Sequence, residues 1–216
     1  MILVINYLYQ KKKNFLHIFL NPIFIKEKEL INFLTMNRAI FITGLSSSGK
    51  TTLAYNLIKK LSYNKIKTIL LDGTEMFNFS ILYPFKGHEP EDRASRSKHL
   101  MRMINWVNSQ NLLPIIPIVG QPIKIRDDWK KSLDSYVEIF LDCDINICKY
   151  RDNKNLYESF EKGKASSIIG VDRIFDKPLN PWLKIDSGKN NSSKVFEIAW
   201  EKISKLDFLN DFKINI

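Results

Sequence analysis

Residues 44–51, Gly44-Leu45-Ser46-Ser47-Ser48-Gly49-Lys50-Thr51, carry two glycines, a lysine and a hydroxyl in the order GxxxxGK[ST]. That spacing dictates a chemistry. Glycine backbone can curl until successive N–H groups point inward at a phosphate. A helix starting at Lys50 would aim the positive end of its dipole at the same point. Lys50 then reaches the β- and γ-oxygens, and the Thr51 hydroxyl is placed to ligate Mg²⁺. Together with Thr52, these residues are expected to bind ATP. A chance match in a Gly/Ser turn would lack the flanking elements. Here an apolar run at 39–43 (AIFIT) enters the loop, and the helix-spaced Leu53, Ala54, Leu57, Ile58 and Leu61 leave it, which is the context the motif requires.

A second anchor is Asp72, in Leu70-Leu71-Asp72-Gly73 at the end of the next apolar run. Ligand sites in open parallel sheets lie at the carboxyl ends of strands. Asp72 is therefore expected to face the γ-phosphate and the acceptor, where it could hold Mg²⁺ through water or take the acceptor's proton. Lys50 and Asp72 are the expected catalytic residues, and Thr51 and Asp72 the expected metal contacts.

The elements that must position these groups read as an α/β domain. Short apolar runs at 39–43, 68–71, 112–119, 137–141 and 182–185 alternate with helix-length amphipathic segments. Their β-branched and aromatic content suits strands buried on both faces. Helices are expected at about 50–61, 91–108, 127–133 and 193–205, with a mixed-charge stretch after Asn146. The expectation is a P-loop NTPase-like parallel sheet of about five strands flanked by helices.

Composition limits the alternatives. A chain of 216 residues suits one domain with a sizeable core. The net charge of +10 comes from 26 Lys and 7 Arg scattered along the chain, and no nucleic-acid-binding module accompanies it. Cys143 and Cys148 fit neither zinc spacing nor a disulfide framework. His17, His88 and His99 have no metal-ligand spacing, and the four tryptophans read as packing residues.

Residues 1–35 are apolar, aromatic and Lys-bearing, with Lys11–Lys13 after the first apolar stretch, the reverse of a signal peptide's order. No stretch in them reaches the roughly 18 apolar residues of a spanning helix. Met36 opens a complete start for the domain, so 36–216 is expected to be the kinase domain and 1–35 an extension that is not translated. The alternative is an appended helix or a membrane-surface anchor. Without a convincing export signal, the cytoplasm is the expected location.

The sequence resembles the adenylylsulfate kinase family, whose members transfer the γ-phosphate of ATP to the ribose 3′-hydroxyl of adenylyl sulfate. The resemblance rests on GLSSSGKTTLA at 44–54, LDG at 71–73, EDR at 91–93, Gln121-Pro122, CKYRDNKNLY at 148–157 and GVDRIFDKP at 170–178. It implies that Asp72 contacts Mg²⁺ and the acceptor hydroxyl, and that Arg93 binds the acceptor. It places Pro122 in the substrate loop and Arg151, Asp152, Lys154, Leu156 and Tyr157 in a mobile lid. Arg151 is the expected ATP contact of that lid and Lys154 an acceptor contact. A homodimer is also implied.

The departures from the family pattern gather where the acceptor should bind. Thr74 and Phe77 replace an Asp and an Arg. Arg96, Lys98 and His99 stand for an Asn and two Arg. Gln121 replaces a Ser, Asn155 a Gly and Glu161 an Arg, while Ile168 stands where an aromatic would stack on the acceptor base. Phe85 remains as a second stacking candidate. Losing a stacking aromatic costs roughly 1–3 kcal/mol of base binding. Phe85, Arg93, Gln121, Pro122, Lys154 and Ile168 are thus the expected acceptor contacts.

Three functions remain open from the sequence: adenylylsulfate kinase itself, a kinase for another nucleotide-activated group such as a cytidine diphosphate-linked one, and a nucleotide-binding module without catalysis. The retained Lys50, Thr51 and Asp72 speak against the third.

Overall fold

A computed structural model describes residues 36–78, 90–163 and 167–214. The expectations for 1–35, Phe85 and His88 lie outside the described residues. Five parallel strands form one sheet in the order β2-β3-β1-β4-β5: β1 Arg38–Thr43, β2 Thr68–Leu70, β3 Leu113–Pro117, β4 Ser135–Asp142 and β5 Leu183–Asp186. The central pairing sets Ile40 against Ile115 and Val137, fixing the register on both sides of β1.

Side chains of a strand alternate between faces, and β1 shows what that does here. Ile40 and Ile42 pack with Leu53, Leu57 and Leu61 of α1 (Lys50–Tyr63) and with Val195, Ala199 and Ile203 of α7 (Ser192–Ile203). Ala39 and Phe41 point the other way. They meet Leu100 and Ile104 of α3 (Pro90–Ser109) and Trp129 of α4 (Ile123–Ser132), whose ring stacks on Phe41 at 4.6 Å. Continuous apolar runs are therefore required, because both faces of the sheet are covered.

The elements depart from expectation at their ends. The run at 112–119 stops as a strand at Pro117, and 118–121 leaves the sheet toward the site. The helix expected near 127–133 begins at Ile123, directly after Pro122, which precedes the helix in extended conformation. The stretch after Asn146 holds two short helices, α5 (Ile145–Tyr150) and α6 (Leu156–Glu161). A short helix α2 (Gly73–Asn78) and a 3₁₀ turn at Asp207–Phe212 were not expected. No helix among the described residues is long and apolar enough to cross a membrane.

Candidate active site

The phosphate loop joins central strand β1 to α1. Since β2 and β3 lie on one side of β1 and β4 and β5 on the other, segments leaving those strands flank the loop from opposite directions. Gly44 is obligatory: at φ +144°, a Cβ there would lie 2.7 Å from the Leu141 carbonyl oxygen and 2.9 Å from Ser48 Oγ. Gly170 matters for the same reason, since a Cβ would stand 2.5 Å from the Leu45 side chain. The 170–178 block can approach the loop only because that position is bare.

Ser46 to Thr52 line a cavity of about 910 Å³, together with Asp72. Lys50 Nζ donates to the Leu45 carbonyl at 2.6 Å. Burial pushes its ammonium down to about 8, with the nearby Cys148 and Asp72 opposing the shift. The Thr51 hydroxyl donates to Asp72 Oδ2 at 2.8 Å, and Asp72 itself is buried. Gly44 and Leu45, also expected to contact ATP, do not line the cavity, and the Leu45 side chain packs on Cys143, Cys148, Tyr157 and Ile168 instead.

On the β4–β5 side, Arg151 lines the cavity and its Nη1 donates to the Ser187 carbonyl at 2.8 Å. Asp152 holds the 152–157 turn together by accepting from the backbone N–H groups of Lys154 (3.3 Å) and Tyr157 (2.7 Å). The turn also touches the phosphate loop. Ser47 Oγ donates to Asp152 Oδ1 at 3.3 Å, and the Tyr157 hydroxyl donates to the Ser46 carbonyl at 3.0 Å. Asn155, where the family resemblance implies a glycine, precedes α6 with φ +52°. Asparagine is among the few side chains that tolerate this conformation, so the exchange preserves the turn.

On the β2–β3 side, Arg93, Arg96 and Ser97 of α3 line the cavity with Gly120 and Gln121. Gln121 is buried, and its Nε2 donates to the Asp176 carbonyl at 2.9 Å. The floor includes Trp129, whose Nε1 donates to Ser97 Oγ at 2.8 Å. Its packing role is as expected; its place at the cavity was not foreseen.

Several expected acceptor residues stand elsewhere. Ile168 is 3% exposed within the small core of Cys143, Cys148 and Tyr157, away from the cavity wall. An aliphatic residue suits that position because its side chain packs in a small cluster with Cys143, Cys148, Tyr157 and Leu45. Pro122 precedes α4 rather than lining the cavity. Glu161 pairs with Lys149 at 3.0 Å on the surface. Lys154 does line the cavity. Residues that the sequence reading missed include Ser187, Asn190 and Ser192, also on the cavity wall. Their one signal was position, just past the carboxyl end of the last strand.

The residues present fit ATP with Mg²⁺. The hydroxyls of Ser48 and Ser187 are buried at the cavity without a hydrogen-bond partner among the described residues, which suits a polar ligand. No cluster of three or more His, Cys, Asp or Glu forms a metal cage among the described residues. Mg²⁺ needs none, since it commonly takes one or two protein oxygens plus substrate phosphates, and Thr51 and Asp72 would offer such oxygens.

A parallel sheet whose middle strand feeds such a loop, with Thr51 and Asp72 joined beside it, defines a P-loop phosphotransferase. The chain belongs to the adenylylsulphate kinase family, whose sequence pattern matches residues 36–186. It is 28% identical over 170 residues to a probable adenylyl-sulfate kinase of Pyrococcus abyssi, covering 79% of this chain and 97% of the relative. It is 31% identical to the cytidine diphosphoramidate kinase of Campylobacter jejuni, covering 76% and 95%. The fold matches the Mycobacterium tuberculosis APS kinase CysC, solved in complex with AMPPNP and APS, with a TM-score of 0.70 at 25% identity. That match covers 78% of this chain and 96% of the other.

Proposed function

We propose that this chain transfers the γ-phosphate of ATP to the ribose 3′-hydroxyl of adenylyl sulfate. The observation that carries the reading is the Thr51–Asp72 pair beside Lys50 at the meeting point of two differently lined halves of one cavity. The half beyond β4 and β5, with Arg151 and Ser187, suits the ATP base and ribose. The half beyond β2 and β3, with Arg93 and Gln121, suits an anionic nucleotide acceptor.

Phosphoryl transfer asks the protein mainly for positioning and charge stabilisation. Lys50 holds a desolvated cation against the oxygens of the transferring group, where low dielectric strengthens the attraction. Asp72 orients the acceptor hydroxyl and accepts its proton. Arg151 and Lys154 bring further positive charge and exclude water as the 151–157 segment covers the phosphates. Bound at Thr51 and Asp72, Mg²⁺ would neutralise charge on the phosphates.

A second reading, a cytidine diphosphate-linked acceptor, is favoured by the 31% identical Campylobacter relative. An ATP-consumption assay on the 216-residue chain separates the readings. Turnover with adenylyl sulfate supports the first. Turnover with cytidine diphosphoramidate alone supports the second, and neither with either acceptor leaves a nucleotide-binding module. The cytoplasm, where ATP is abundant, is the location that this activity suits, and sedimentation would check the homodimer implied by the family.

A further inference from the structure

Arg126 of α4 is 3% exposed, and Glu138 of β4, its ionic partner, is 5% exposed. Arg126 Nε lies 3.6 Å from Glu138 Oε1, which also accepts from the Thr43 hydroxyl at 2.8 Å. Thr43 is the last residue of β1, immediately before the phosphate loop. The other two guanidinium nitrogens bind backbone carbonyls. Nη1 donates to the Gly120 carbonyl at 3.0 Å and Nη2 to the Asp176 carbonyl. The Phe175 ring lies over the same guanidinium, 5.8 Å away, and stacks on Phe140.

A buried ion pair is a weak source of net stability, because desolvation offsets the attraction. What a guanidinium adds is direction, as its donors are fixed in a planar fork. This fork joins two segments distant in sequence, the 118–121 loop and the 170–178 block, to the strands beside the phosphate loop. The Asp176 carbonyl is shared, accepting from both Arg126 Nη2 and Gln121 Nε2. Gly120 and Gln121 are in turn part of the cavity wall on the β2–β3 side.

We propose that Arg126 is a positioning residue for the acceptor, setting the Gly120–Gln121 wall and the 170–178 block relative to the phosphate loop. The proposal rests on the reading of the β2–β3 side as the acceptor half. It assigns Arg126 no contact with substrate.

The test uses two variants of the full chain. Arg126→Lys keeps the charge beside Glu138 but cannot span both carbonyls. Arg126→Met combined with Glu138→Gln removes the fork without stranding a buried carboxylate. Both are expected to raise the KM for the acceptor at least tenfold while the Kd for ATP stays within twofold. An unchanged acceptor KM in the folded double variant overturns the proposal, as does full restoration by lysine. So does a parallel loss of ATP affinity, which would mark a merely structural role. If the wild-type chain turns over no nucleotide acceptor, the functional reading fails independently. Amide exchange then decides for Arg126: faster exchange at 118–121 and 170–178 with the phosphate loop unaffected supports it, and unchanged exchange there overturns it.

Discussion

The Thr51 hydroxyl donates to Asp72 Oδ2 across 2.8 Å, joining the first turn of the phosphate-loop helix to the end of the second strand. One residue comes from the motif and the other lies 21 positions away. Their contact places the two expected Mg²⁺ oxygens side by side.

Removing the charge at that point tests its role. Asp72→Asn keeps the side-chain size and one oxygen for Thr51. It is expected to lower kcat by about 10²–10⁴-fold, the usual range for a general base or its equivalent. ATP affinity, read by calorimetry without Mg²⁺, is expected to change little.

Lys50 carries a measurable conflict between stability and function. Its ammonium is held at about 8 by burial, below the ordinary 10.5. Below pH 8 the group is charged in both the folded and unfolded chain, so the full burial cost is present. Between the two values the unfolded chain binds more protons, so native stability from this group rises with pH. Lys50→Met is therefore expected to abolish turnover yet stabilise the ligand-free protein at pH 7 by roughly 1–3 kcal/mol. That gain should shrink towards pH 10.5, as read by thermal unfolding across pH.

At Asn155 the positive φ sets a clear order of substitutions. Asn155→Gly should leave kcat/KM within about twofold, because glycine adopts this backbone freely. Asn155→Val should cost about 1–2 kcal/mol in the 152–157 turn. The assay would show it as weaker binding of both substrates.

Tyr157 ties that turn to the loop through the Ser46 carbonyl. Tyr157→Phe removes one hydrogen bond, worth about 0.5–1.5 kcal/mol. The KM for ATP is expected to rise about two- to tenfold, with Tm lowered by no more than about 2–5 °C.

How much of this was legible depended on whether the cause was local. The phosphate loop and its flanking strand and helix follow from nine consecutive residues and a 3.6-residue apolar period, so they read directly. Asp72 was found because a strand end is a predictable place. Ile168 misled because only the packing of distant Cys143 and Cys148 decides that the position is core. The Arg126 network was invisible for a similar reason: its carbonyl partners are backbone groups, which have no sequence signature. Asn155 looked like a loss, and only its backbone angle shows that little changed.

The strand order has a consequence for how such a protein diverges. With β1 in the middle, the machinery for the phosphate donor and that for the recipient grow from opposite flanks of one seam. A change in residues of one flank leaves the phosphate loop and the Thr51–Asp72 contact at the seam in place, so recognition of donor and recipient can be altered one at a time.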